Sequence, residues 1–232
     1  MFTRLKKWFL IGGLFAASFM MFSCGSTTIP GNMTANTGGN DFVTLNWTQV
    51  DSAVSYNVYR GSSVDGLFSL IDTIDPAGTY YDFTAVPGTT YFYHVSSVDS
   101  DGYESDPSET VSGSAADNNS TAGTATTISV GAAAQIHSIN PGTENDYFKF
   151  TANNGSIYSI ATGSPGSLYS SLDTYITLYD TDGTTILLQD DDSGAGTFSL
   201  ISLWTCPATG TYYFRVSHYL HSGTGGYSIR VY

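Results

Sequence analysis

The sequence predicts an all-β protein made of two tandem antiparallel β-sandwiches behind an N-terminal signal segment. Three observations carry this reading. The 232 residues include 25 Gly and 17 Tyr but only 12% charged side chains, a turn-rich composition unlike that of a helical protein. Apolar residues alternate with polar ones in short runs bounded by Gly, Asp, Asn, Ser and Thr, which is the signature of half-buried strands. The chain is also longer than most single domains, and residues 112–123 are small and polar, as a junction between two domains would be.

At the N-terminus Arg4, Lys6 and Lys7 precede an apolar run from Trp8 to Phe22. This is the layout of a secretory signal, and the run of about fifteen residues falls short of the roughly 20 that a spanning helix needs. Met21-Phe22-Ser23-Cys24-Gly25 resembles a bacterial lipobox. The resemblance implies that residues 1–23 are a cleaved lipoprotein signal peptide, that Cys24 is lipidated, and that residues 24–28 form a short tether. The partner would then be a membrane, reached through the lipid anchor. Gly25 rather than Asp after the cysteine implies the outer membrane of the cell envelope. The alternative is ordinary cleavage after Ala16-Ala17-Ser18. Loss of residues 1–23 leaves 20 Asp and Glu against Arg60, Lys149, Arg215 and Arg230, a formal charge of −16. Such a surface repels nucleic acid, so no nucleic-acid partner is expected. With Cys24 lipidated, Cys206 has no disulfide partner and apolar packing must hold the sandwiches together.

Residues 29–113 form the first predicted sandwich. Val43, Leu45 and Trp47 alternate, as do Tyr56 and Val58, then Tyr91, Tyr93 and Val95. Trp47, the run Ala53 to Arg60, Pro87-Gly88-Thr89-Thr90-Tyr91 and Asp99-Ser100-Asp101-Gly102-Tyr103 together resemble a fibronectin type III domain. The resemblance implies that Trp47 and Tyr56 are core residues and that Tyr91 makes a tyrosine corner. Arg60-Gly61-Ser62 is not the adhesive Arg-Gly-Asp tripeptide of that family. Asp99, Asp101 and Glu104 read as hairpin turn chemistry, with a cation or a basic partner as the alternative.

Residues 114–123 are read as a linker and leading segment, and residues 124–232 as the second sandwich. Its strands are Asp146 to Phe150, Ser156 to Ile160, Tyr175 to Tyr179, Tyr212 to Val216 and Tyr227 to Val231. Asp117-Asn118-Asn119-Ser120, Glu144-Asn145-Asp146-Tyr147-Phe148, Asp180-Thr181-Asp182-Gly183, Asp190-Asp191-Asp192 and Thr209-Gly210-Thr211-Tyr212-Tyr213 look like the bacterial pre-peptidase C-terminal domain. That resemblance implies a jelly-roll-like sandwich with Tyr147 and Tyr212 in its core. It also implies calcium as the one cofactor, with Asp117, Asn119, Glu144 and Asp146 as ligands. Hard cations take six to eight oxygens at about 2.3–2.6 Å, which two converging segments would have to supply. The alternative for these four residues is plain capping and turn chemistry. Asp190-Asp191-Asp192 lacks the residues of an EF-hand loop around it and reads as a solvated turn.

No enzyme is expected. The four histidines, His94, His137, His218 and His221, fall in no His-Glu-x-x-His, and neither Gly-x-Ser-x-Gly nor a phosphate-binding loop is present. The resemblances imply a non-catalytic envelope protein whose loops adhere to a protein or a polysaccharide. The alternative is a spacer or accessory lipoprotein supporting a secreted hydrolase or an envelope partner.

Overall fold

The computed structural model describes residues 27–38, 40–166 and 172–232. The predicted signal peptide, the lipobox and Cys24 lie outside the described residues.

The first sandwich is built from β1 (Gly31–Ala35), β2 (Val43–Thr48), β3 (Ser55–Gly61), β4 (Phe68–Ile74), β5 (Thr79–Asp82), β6 (Thr90–Val98) and β7 (Val111–Ser114). A three-stranded sheet, β1-β2-β5, covers a four-stranded sheet, β4-β3-β6-β7. Strand periodicity turns Val43, Leu45 and Trp47 inward from one sheet and Tyr56, Val58, Tyr93 and Val95 from the other. Trp47 meets Tyr56 edge to face with ring centroids 5.3 Å apart, the favoured aromatic geometry.

Tyr91 packs against this core from its edge rather than inside it. It is half-buried near the start of β6, with the Arg60 guanidinium 4.6 Å over its ring, whereas Tyr93 is the fully buried tyrosine of that strand. The Tyr93 hydroxyl donates to Asp82 Oδ2 at 2.9 Å, and Arg60 Nη1 donates to the same oxygen at 2.7 Å. Ala115, two residues beyond the expected boundary at 113, still belongs to this core.

The second sandwich contains β8 (Thr126–Thr127), β9 (Gln135–Ile139), β10 (Asn145–Ala152), β11 (Ile157–Gly163), β12 (Thr174–Tyr179), β13 (Ile186–Asp190), β14 (Leu200–Thr205), β15 (Gly210–His218) and β16 (Gly225–Val231). A five-stranded sheet, β13-β12-β15-β10-β8, packs on a four-stranded one, β14-β11-β16-β9. Phe148 and Phe150 of β10, Tyr212 and Phe214 of β15 and Tyr227 and Ile229 of β16 fill the space between them.

Tyr147 is not in this core, contrary to the expectation. The inward phase of β10 is Asp146, Phe148, Phe150, so Tyr147 falls on the outer face, stacked on Tyr179 at 6.3 Å. That same phase carries a carboxylate, Asp146, to a core position at the start of the strand.

The sandwiches meet along a close seam. Ala116 N–H donates to Asn40 O at 2.7 Å, Ser138 Oγ to Asp41 O at 2.7 Å, and Asn140 Nδ2 to Ala85 O at 3.0 Å. Gly226 lies directly under Phe83, where an added Cβ would come within 2.4 Å of the ring, so a larger residue there would push the domains apart.

Candidate cation site at the domain seam

Three segments converge at this seam. Asp117 and Asn119 follow the last strand of the first sandwich, and the parallel β8–β10 pairing lays this segment beside β10. Tyr147 N–H donates to Asn119 O at 2.7 Å, which fixes the segment against the start of the strand. Glu144 closes the turn into β10, with its own N–H on Pro141 O at 2.8 Å, and Asp146 begins the strand's inward face.

The result is a cluster of carboxylates short of donors. Asp117, Glu144 and Asp146 each place an oxygen within 4.8 Å of the others. Asp117 Oδ1 accepts from Asn119 N at 3.2 Å, Glu144 Oε2 from Asn140 N at 2.9 Å, and Asp146 Oδ2 from the Tyr227 hydroxyl. Asp146 Oδ1 and Glu144 Oε1 are buried with no hydrogen-bond partner, and so is Asn119 Nδ2. Buried polar atoms are nearly always partnered, and leaving a carboxylate oxygen unmet costs about 1–3 kcal/mol or more.

Burial pushes Glu144 up to about 7, with the negative charges of Asp117 and Asp41 adding to it and the Asn140 N–H bond opposing. Asp146, fully enclosed, lies well above the usual carboxylate range, first through burial and then through Asp41 and Glu144. Of the four sequence-predicted ligands, Asp117, Glu144 and Asp146 bring carboxylate oxygens together, and Asn119 lies beside them through its backbone N–H and carbonyl. The donor set is all oxygen, and the two orphaned carboxylate oxygens are what a hard cation would satisfy.

Sequence reasoning missed Asp41, His137 and Tyr227, which come from distant stretches with no local motif to mark them. Asp41, in the turn before β2, is buried to 5% exposure. Its Oδ2 lies 2.9 Å from His137 Nδ1 and accepts from Ser138 N at 3.1 Å. Asp41, His137 and Asp146 also bring ligand atoms within 4.8 Å of one another.

A second acidic group, Asp173, Asp191 and Asp192, meets the same distance criterion. Asp192 is exposed, Asp173 and Asp191 are half-exposed, and Asp190 Oδ2 already accepts from Leu200 N at 2.6 Å. His218 and His221 form no metal pair among the described residues. Nδ1 of buried His218 accepts from Leu220 N at 3.1 Å, and His221 is exposed in the turn beyond.

On the outer face of the β4-β3-β6-β7 sheet, Phe68, His94 and Tyr59 form a row, with centroids 4.4 Å apart between Phe68 and His94 and 5.0 Å between His94 and Tyr59. Each is half-exposed. The Tyr59 hydroxyl donates to Glu104 Oε1 at 2.7 Å, and Ser96 Oγ donates to the same oxygen. Glu104 is held below the ordinary carboxylate range: its burial works against ionisation, but the hydrogen bonds of Ser96, Asn57 and Tyr59 outweigh it.

Residues 144–218, within the second sandwich, match the family model of the bacterial pre-peptidase C-terminal domain. The first sandwich, with the seam between them, makes the chain a two-module β-protein. Among curated proteins it is similar to an amylopullulanase of Thermoanaerobacterium saccharolyticum, 40% identical over 80 residues, which is 34% of this chain and 6% of that enzyme. An amylopullulanase of Thermoanaerobacter thermohydrosulfuricus is 45% identical over 67 residues, 29% of this chain and 4% of that enzyme. The chain thus spans a very small part of these relatives' length. Similar solved structures include an Fn3-like protein from Clostridium thermocellum, at 28% identity over 38% of this chain and 92% of that one, TM-score 0.36. The pre-peptidase C-terminal domain of a Bacillus anthracis collagenase is 17% identical over 47% of this chain and 94% of that one, TM-score 0.38.

Proposed function

We propose that this chain is a non-catalytic, lipid-anchored envelope protein that binds polysaccharide through its first sandwich, with a calcium ion at the seam stiffening the second. The observation that carries the binding reading is the row Phe68, His94, Tyr59. Half-exposed rings stacked in a row present an apolar ridge to the C–H groups of a sugar, and the ordered Glu104 carboxylate at their edge can accept from its hydroxyls. The similarity to small parts of amylopullulanases supports a carbohydrate ligand over a protein and a module appended to chemistry done elsewhere.

In this reading Asp117, Asn119, Glu144 and Asp146 hold the ion. Its charge offsets their mutual repulsion and meets the orphaned oxygens of Glu144 and Asp146. Cys24 ties the whole to the membrane, so that fatty-acid labelling of the expressed protein should be lost in Cys24→Ala. A second reading, a rigid accessory spacer, is favoured by the close seam at Gly226 and Phe83.

A glycan and matrix-protein array on residues 27–232, in calcium and in chelator, separates the two. Binding to a glycan that falls about tenfold or more in Tyr59→Ala and in Phe68→Ala, with the melting temperature nearly kept, supports the binding face. A wild type that binds nothing on the array overturns it and leaves the spacer.

A further inference from the structure

We propose that the seam cation is shared between the domains: Asp41 of the first sandwich completes the oxygen cage of the second, so that a divalent cation locks the two sandwiches in one orientation. This rests on the reading of Asp117, Glu144 and Asp146 as a hard-cation site. It goes beyond that reading in taking a ligand from outside the domain that matches the pre-peptidase family.

Several independent features meet here. Asp146, fully buried, has an oxygen with no partner, and it belongs to two groups of ligand atoms at once: Asp117 and Glu144 on one side, and Asp41 with His137, whose ligand atoms lie within 4.8 Å of it, on the other. A small cavity of about 50 Å³ lies beside Asp41, walled by Asp41, Asn118, Asn119 and His137, so that both domains line it. That volume exceeds the roughly 30 Å³ share of one water, enough for a small ion with part of its water shell.

The backbone holds Asp41 in place from the other side. Its carbonyl accepts from Ser138 Oγ, and its Oδ2 accepts from Ser138 N. Asp41 therefore cannot leave the site without opening the seam. Ionising these carboxyls without a cation sets like charges against one another across the seam, and a cation turns that repulsion into a shared attraction. Cation affinity and domain docking are then linked, each strengthening the other by the same factor.

The test uses residues 27–232 of wild type and Asp41→Asn, with calcium chloride titrated by calorimetry and amide exchange followed in calcium and in chelator. Asn retains an acceptor for His137 and Ser138 while removing the charge. The expected result is calcium binding by the wild type with slowed exchange in both sandwiches, including residues 40–43 and 83–85. Asp41→Asn should bind about 10–100-fold more weakly and, at saturation, slow exchange in the second sandwich alone. Equal affinity and equal protection in the variant would overturn the sharing while leaving the cation site standing. Wild-type protection confined to the second sandwich would do the same, even should Asp41→Asn fold poorly. A wild type that neither binds calcium nor gains protection overturns both readings together.

Discussion

The two acidic groups of the second sandwich are nearly matched in composition and opposed in setting. Asp117, Glu144 and Asp146 lie at the seam, with Asp146 fully enclosed and two carboxylate oxygens unmet. Asp173, Asp191 and Asp192 lie beside β12 and β13, where Asp192 is exposed, Asp173 and Asp191 are half-exposed, and water can screen their charges. The Asp190-Asp191-Asp192 run is the denser acidic motif in the sequence, yet the sparser one is under greater electrostatic strain. Enclosure of the whole side chain, rather than the number of carboxylates, decides where a cation would yield most stability: Asp173 Oδ1 and Asp191 Oδ1 are also unmet, but of the two groups only Asp146 is a fully buried carboxylate.

The largest expected effect tests this contrast directly. Calcium at about 100 times its Kd should stabilise the folded protein by about 2.7 kcal/mol, since binding to the native state alone shifts the unfolding equilibrium. Differential scanning calorimetry should show a rise of several degrees over chelator. Glu144→Gln combined with Asp146→Asn should abolish that rise. A rise that survives the double variant would move the site away from the seam.

The next effect is smaller and has a definite sign with pH. Glu144 is pushed up to about 7 from an ordinary 4.5, so its ionisation opposes folding. The unfolded chain loses this proton near pH 4.5 and the folded chain holds it until near pH 7, so the contribution is neutral below 4.5 and turns unfavourable as pH rises between the two. In chelator, Glu144→Gln should match wild type near pH 4 and exceed it by about 1–2 kcal/mol at pH 8, after allowance for partial solvent screening. Urea unfolding at the two pH values reads this difference. Asp182, at the exposed turn, gives the opposite case. Hydrogen bonds from the Thr185 hydroxyl and from the Thr185 and Thr184 amides hold it down to about 2, so Asp182→Asn should lose stability above pH 4 and not below 2.

Much of this was legible in the sequence, and the gaps have physical causes. Period-two alternation marks the strands that bury one face, which is why β2, β3, β6, β10, β11, β12, β15 and β16 were expected. Edge strands such as β4, β13 and β14 expose residues on both faces, as the patterns of Ile186 to Asp190 and Leu200 to Thr205 show, and so carry no clean alternation. Tyr147 was misplaced because two aromatic residues, Tyr147 and Phe148, stand side by side and only one can face inward. The cluster of Asp117, Asn119, Glu144 and Asp146 was readable through a family resemblance. Asp41 was not, because it reaches the cluster across the seam and nothing within its own turn records the other domain.

The smallest effect is the other half of the contrast. Asp191→Asn with Asp192→Asn removes two charges from the exposed group. It leaves in place Asp190, whose Oδ2 accepts from Leu200 N and Ser193 N and orders the turn. Burial and the charges of Asp192, Asp173 and Asp190 raise Asp191 above its ordinary value, so these charges repel without a compensating donor. Their removal relieves a repulsion that water already screens, and the change in stability should stay within about 0.5 kcal/mol, on the favourable side. The calcium-dependent rise in melting temperature should be the same as in wild type. Should this variant lose the rise while Glu144→Gln with Asp146→Asn keeps it, the exposed group would be the cation site, and enclosure would not be what selects it.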